Sequence, residues 1–155
     1  IFSKENFYFL IIILLTFSID RYSKIKIINN FSDTRFYLND FLNLDLLWNT
    51  GIGFGLLSLE SSIYYNFLSI LIGLVIVLLI FVGIQSNKFE KFFFSMIIGG
   101  ALGNFYDRIY FNAVPDFIDL HYKNFHWFTF NIADIFITIG IIFYIFNGVL
   151  INRSK

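Results

Sequence analysis

Residues Met96 to Asp134 read MIIGGALGNFYDRIYFNAVPDFIDLHYKNFHWFTFNIAD and lie between two long apolar runs. The stretch holds four aspartates (Asp107, Asp116, Asp119, Asp134), Arg108 and three asparagines (Asn104, Asn112, Asn131). Ionisable groups are costly at membrane depth, so a polar cluster at the ends of apolar helices marks a candidate site.

Composition sets the class. Of 155 residues, 57% are hydrophobic, 22% aromatic and only 14% charged. Soluble domains carry about 25% charged residues, so the solvent predicted here is a bilayer. The formal net charge is zero, which argues against a nucleic-acid partner. With no cysteine, thiol catalysis, disulfides and thiolate metal sites are excluded.

Outward from the quoted stretch, apolar runs predict four membrane helices, over about residues 7–25, 63–84, 92–110 and 132–151. The run over 63–84 carries no charge and covers roughly 33 Å as a helix, enough for a hydrocarbon core of about 30 Å. The first run has the basic start of a signal peptide, but no small-residue cleavage site follows, so a retained helix is expected. Gly99, Gly100 and Gly103 give the third run a small face for close packing. Segments 26–62 and 111–131 are too polar to span and fall on the face opposite the termini. Leu42, Leu44 and Leu46 alternate with Asn43 and Asp45, a strand pattern. The expected fold is therefore an all-α membrane protein with a small β-rich extracytoplasmic segment, forming one domain.

Lys4, Lys88, Lys91, Arg153 and Lys155 sit in very short segments on the side of the termini. Of the six other Lys and Arg, only Lys26, Arg35 and Lys123 fall in the longer segments opposite, which predicts cytoplasmic termini.

The chemistry follows from residue types. WNTGIGFG (Trp48 to Gly55) lacks the spacing of a dinucleotide loop and a soluble helix after it, so its glycines are read as turns. Gly100, Asn104, Asp107 and Arg108 share one helical face, with Asp107 and Arg108 expected to pair as scaffold. Asp20 and Lys24 lie one turn apart near the far end of the first helix, and spacing alone leaves two readings open: an interfacial ion pair closing the helix, or part of the polar site. Ser23 and Lys24 are of the types used in serine/lysine peptidases, but adjacent helix residues point apart. His121 and His126 show no third ligand nearby, so no metal and no cofactor are expected.

Taken singly, Asn131-x-x-Asp134 is a capped helix start, and Asp116 after Pro115 is a turn residue. Taken together, two carboxylates in a partly dry site divide into one protonated and one ionised group. Such a pair deprotonates a water for attack on a peptide carbonyl and protonates the leaving nitrogen. Spacing alone does not bring Asp116 and Asp134 together. Two other classes remain: a small four-helix transporter or channel relaying protons through Asp20, Asp107 and Asp134, and a non-catalytic assembly subunit.

Five blocks in order resemble the bacterial lipoprotein (type II) signal peptidases. They are Asp20-x-x-Ser23-Lys24, NTGIGFG (Asn49 to Gly55), GGALGNFYDR (Gly99 to Arg108), Val114-Pro115-Asp116-Phe117 and FNIAD (Phe130 to Asp134). The resemblance implies a membrane aspartic endopeptidase that removes the signal peptide just before the diacylglyceryl cysteine of prolipoproteins. It further implies residence in the bacterial cytoplasmic membrane, an active site towards the extracytoplasmic face, and block by globomycin-like inhibitors. By the same resemblance Asp116 and Asp134 are catalytic, and Asp20, Lys24, Asn49, Gly55, Gly100, Asn104, Asp107, Arg108 and Asn131 support them. The chain departs from the family pattern at Gly53 (usually Ala), Pro115 (usually Val) and Ile135 (often Ser).

Overall fold

A computed structural model describes residues 3–31, 35–51 and 62–153. Four helices and four strands follow in the order α1 (Lys4–Phe31), β1 (Phe36–Asn39), β2 (Leu42–Asn49), α2 (Ser62–Gln85), α3 (Lys88–Phe111), β3 (Val114–Tyr122), β4 (Phe125–Phe130) and α4 (Ile132–Arg153).

The helices outrun the apolar stretches because polar residues extend or cap them. α1 continues past residue 25 to Phe31. α3 starts at a capping box: Asn87 Oδ1 accepts from the amides of Phe89 and Glu90, both at 3.1 Å, and the Asn87 amide donates to Glu90 Oε2 at 3.4 Å. It stops at Asn112, whose φ of 55° is a left-handed C-cap.

α3 is the axis of the bundle, with α1, α2 and α4 all packed on it. Phe9, Ile13, Ile76, Phe94 and Ile98 form the buried apolar cluster where α1, α2 and α3 meet. Glycines on α3 bring neighbouring helices close. A Cβ on Gly100 would stand 2.6 Å from the carbonyl oxygen of Ala133 in α4, and one on Gly103 would collide with the Asp20 carboxylate of α1.

Outside, the bundle is apolar: Phe67, Ile70, Leu74, Val77 and Phe81 on α2, and Phe143, Ile145 and Phe146 on α4, are exposed. Tyr65–Gln85 and Ile132–Val149 are long and apolar enough to cross a membrane. α1 and α3 are as long but bury Asp20, Lys24, Asp107 and Arg108.

The strands form one antiparallel sheet in the order β1-β2-β3-β4. The alternating leucines do lie on a strand, β2, yet the polar Asn43 and Asn49 are buried while Leu47 and Trp48 are exposed. The register slips in β1 between Tyr37 and Asn39 and in β2 between Leu44 and Leu47. On the other flank Leu120 pairs with Phe128 but His121 pairs with His126, so Trp127 is an extra residue in β4. β3 itself runs without a bulge, and its side chains alternate between the faces of the sheet.

Candidate active site

Asp116 is a strand residue, where the sequence alone suggested a turn. Pro115 before it is fully buried opposite Trp48 of β2. β4 joins β3 only from Ile118 onward, so at Pro115 one flank lacks a strand neighbour and a missing amide donor is tolerated. The Asp116 side chain is 3% exposed. Its Oδ2 accepts from Asn49 Nδ2 at 2.9 Å and its Oδ1 from Asn131 Nδ2 at 2.6 Å. Asn49 is oriented by Gly51, whose amide donates to Asn49 Oδ1 at 2.9 Å. Burial pushes the Asp116 carboxyl up to about 6, the Asn49 hydrogen bond opposes the rise, and the Asp134 charge adds to it.

Asp134 stands in the first turn of α4. It closes a reciprocal cap with Asn131: the Asp134 amide donates to Asn131 Oδ1 at 3.2 Å, and the Asn131 amide donates to Asp134 Oδ2 at 3.1 Å. Asp134 Oδ1 accepts from Asn104 Nδ2 at 2.9 Å. Unlike Asp116, Asp134 is only half-buried. It opens into a cavity of about 270 Å³ lined by Phe128, Phe130, Ile135, Thr138 and Ile139. Asn131 thus touches both carboxylates, and the sequence motif read as a helix start is at once a cap and a bridge.

Behind Asn104 lies a buried charge cluster between α1 and α3. Lys24 Nζ reaches Asp20 Oδ2 at 2.9 Å, Asp107 Oδ2 at 2.7 Å and Asn104 Oδ1 at 2.7 Å. Arg21 pairs with the other oxygen of Asp107 and lies over the Tyr106 ring. Asp20 Oδ1 accepts from the Ala133 amide at 3.0 Å, an orphan donor at the start of α4.

This cluster decides between the two readings of one pair and corrects the expectation for another. The Asp20–Lys24 pair does not close a helix at an interface; it is buried and α1 runs on beyond it. Asp107 does not pair with Arg108, because consecutive helix residues diverge by about 100°. Arg108 instead donates to the carbonyls of Gly51 at 3.1 Å and Asn104 at 3.3 Å. Ser23 Oγ donates to the Asp20 carbonyl at 2.7 Å.

Of the named supporting residues, Asp20, Lys24, Asn49, Asn104, Asp107, Arg108 and Asn131 belong to this connected set, and Gly100 provides the close α3–α4 approach. Gly55 lies outside the described residues. Arg21 and Gly51 were missed; nothing in their spacing ties them to residues so far along the chain. The sequence reading also missed a third group beside the histidines, since His126 Nδ1 lies 2.8 Å from Asp119 Oδ2.

The class is that of a membrane enzyme. A bacterial membrane enzyme solved by the in meso method at 2.3 Å superposes with a TM-score of 0.78 and 30% identity, over 95% of this chain and 90% of that one. A second, solved at 1.9 Å, gives a TM-score of 0.74 and 29% identity over 92% of each chain. The sequence carries the assignment further. Residues 12–150 match the family described as Signal peptidase (SPase) II, and the chain belongs to that peptidase family. The lipoprotein signal peptidase of Pelagibacter ubique (strain HTCC1062) is 49% identical, over 97% of this chain and 93% of its own. That of Francisella tularensis subsp. novicida (strain U112) is 42% identical over 68% of each.

Proposed function

We propose that the chain removes signal peptides from lipid-modified prolipoproteins, cutting just before the diacylglyceryl cysteine, with Asp116 and Asp134 as the catalytic pair. The observation that carries the reading is Asn131, which joins the two carboxylates while leaving one buried and the other open to an apolar cavity. In this reading buried Asp116 is the proton donor and half-buried Asp134, in the first turn of α4, is the base.

A water between them attacks the scissile carbonyl carbon as Asp134 takes its proton and Asp116 gives its own to the carbonyl oxygen. Collapse of the tetrahedral intermediate breaks the C–N bond, the amide nitrogen takes a proton from Asp134, and the hydroxyl proton returns to Asp116. Lys24 acts at one remove, holding Asn104 against Asp134. The Phe128 and Phe130 cavity suits an apolar stretch of substrate lying beside Asp134.

All four helices cross the bacterial cytoplasmic membrane in this reading, with both termini in the cytoplasm and the sheet on the outer face. α1 and α3 hide their charges against each other, which supports spanning despite their polarity. The relay reading loses support, because Asp20 and Asp107 are locked to Lys24 and Arg21 in one closed cluster.

Cleavage of a lipid-modified prolipoprotein by purified enzyme, followed as a gel shift, tests the proposal. Asp116→Asn and Asp134→Asn are expected to fold and to lose cleavage, and a globomycin-type peptide to block the wild type. Retained cleavage in both variants would overturn the pair.

A further inference from the structure

We propose that Asp119, His121 and His126 form a site for a divalent transition-metal ion of the zinc class, on the sheet and apart from the catalytic aspartates. Asp119 and His121 are two apart on β3, so they share a face, and the regular alternation of β3 puts Asp116 on the other. Directly paired residues of antiparallel strands also share a face, and His126 is the partner of His121. The extra residue Trp127 makes this so, because it reverses the parity of β4 between Phe128 and His126. A tight turn at Lys123, whose φ is 54°, closes the hairpin.

One ligand atom from each of the three residues lies within 4.8 Å of the others. His126 Nδ1 is 2.8 Å and His121 Nδ1 3.9 Å from Asp119 Oδ2, and the two imidazoles stack with centroids 5.3 Å apart. Tetrahedral zinc, with bonds of about 2.0–2.2 Å, holds its ligand atoms about 3.4 Å apart, so small side-chain turns complete the set.

A second, independent observation points to a missing partner. His121 is 5% exposed, yet its Nδ1 has no hydrogen bond, although it faces the carboxylate. Buried polar atoms are nearly always satisfied, and a bound cation would satisfy this one. Asn43, which donates to Asp119 Oδ2 at 3.4 Å, orients the carboxylate as an outer partner orients a metal ligand. A cavity of about 290 Å³, reached past Arg35, Asp45 and Thr129, borders Asp119 and His126 and leaves room for the ion and a water. Two imidazoles and one carboxylate suit zinc and its transition-metal neighbours rather than magnesium or calcium. The ion would pin β4 to the strand that carries Asp116.

The test uses the full chain in detergent, with any histidine tag removed. Zn²⁺ is titrated calorimetrically, bound metal is counted by elemental analysis, and Co²⁺ is followed by visible absorption. One equivalent is expected, with the cobalt bands of a nitrogen- and oxygen-ligated centre. His126→Ala, at an exposed position, is expected to keep the metal-free melting temperature and to weaken binding at least tenfold, and His121→Gln to do the same. Binding is expected to survive in Asp116→Asn and Asp134→Asn. The proposal fails if zinc does not saturate at one equivalent, if His126→Ala binds as well as the wild type, or if the catalytic-pair variants abolish binding.

Discussion

Asn131 Nδ2 donates to Asp116 Oδ1 at 2.6 Å, and the other end of that side chain accepts the Asp134 amide. One amide therefore holds the strand that bears one carboxylate against the helix that bears the other. Its two ends are not interchangeable: the oxygen is committed to the helix and the nitrogen to Asp116.

Asn131→Ala removes a helix cap and a hydrogen bond to a buried carboxyl together. The cap contributes about 1 kcal/mol to stability. That bond favours the charge Asp116 acquires as it gives up its proton, and a bond to a charged group is worth about 1.5–3 kcal/mol, so turnover is expected to fall roughly 10- to 150-fold. Asn131→Asp keeps the cap but puts a third carboxylate against Asp116, and is expected to recover stability without recovering activity. Gel-shift rates measured beside melting temperatures separate the two.

Asp116 ordinarily titrates at 3.8 and is held up to about 6, chiefly by burial. It must carry a proton in the proposed reaction, so raising the pH through about 6 removes that proton, and kcat/KM of the free enzyme is expected to fall. Asn49 donates to this carboxyl and favours its charged form. Asn49→Ala is therefore expected to move the falling limb to higher pH. Rates between about pH 5 and pH 8 check both claims. A limb that stays fixed in the variant would remove Asn49 from this role.

Lys24→Met leaves Asp20 and Asp107 buried with Arg21 as the remaining cation in contact. Breaking a buried charge cluster from one side costs about 3–5 kcal/mol, enough to prevent accumulation of a folded protein. Adding Asp20→Asn to that variant is expected to restore part of the loss. Thermal unfolding in detergent micelles, together with yield from membranes, reads the difference.

Gly103→Ala drives a methyl group into the Asp20 carboxylate, and overpacking of that kind costs about 1–3 kcal/mol. Gly148→Ala meets nothing within 4 Å. It sits on the exposed side of α4 and is expected to be neutral or to stabilise by about 0.8–1 kcal/mol through helix propensity. Equal losses at both positions would mean that the α1–α3 approach is looser than the structure shows.

Much of this was legible in the chain. Long uncharged runs predict helices because a bilayer demands internally satisfied backbones, and α2 and α4 carry that signal most strongly. Asp116 and Asp134 were named through the order of five motifs. Their spacing could not join them, since a strand and a turn intervene and Asn131 connects them through space. Arg108 beside Asp107 looked like a pair by proximity in sequence, but helical geometry sends Asp107 to Arg21 and Lys24. Asp119 beside His126 was hidden for a related reason. A bulge shifts parity by one, and parity is all that a strand pattern offers before its partner is known.

The α1–α3 charge cluster has a consequence for biogenesis. Lys24 reaches its acceptor Asn104 across a separation of 80 residues, and Arg21 reaches Asp107 across 86. When α1 has been made, Lys24 has Asp20 one turn away, and Asp107, the counter-ion it shares with Arg21, has yet to be synthesised. The buried charges of α1 stay incompletely paired until α3 follows. The ion cluster therefore closes only when α3, whose Asn104 holds Asp134, has been made.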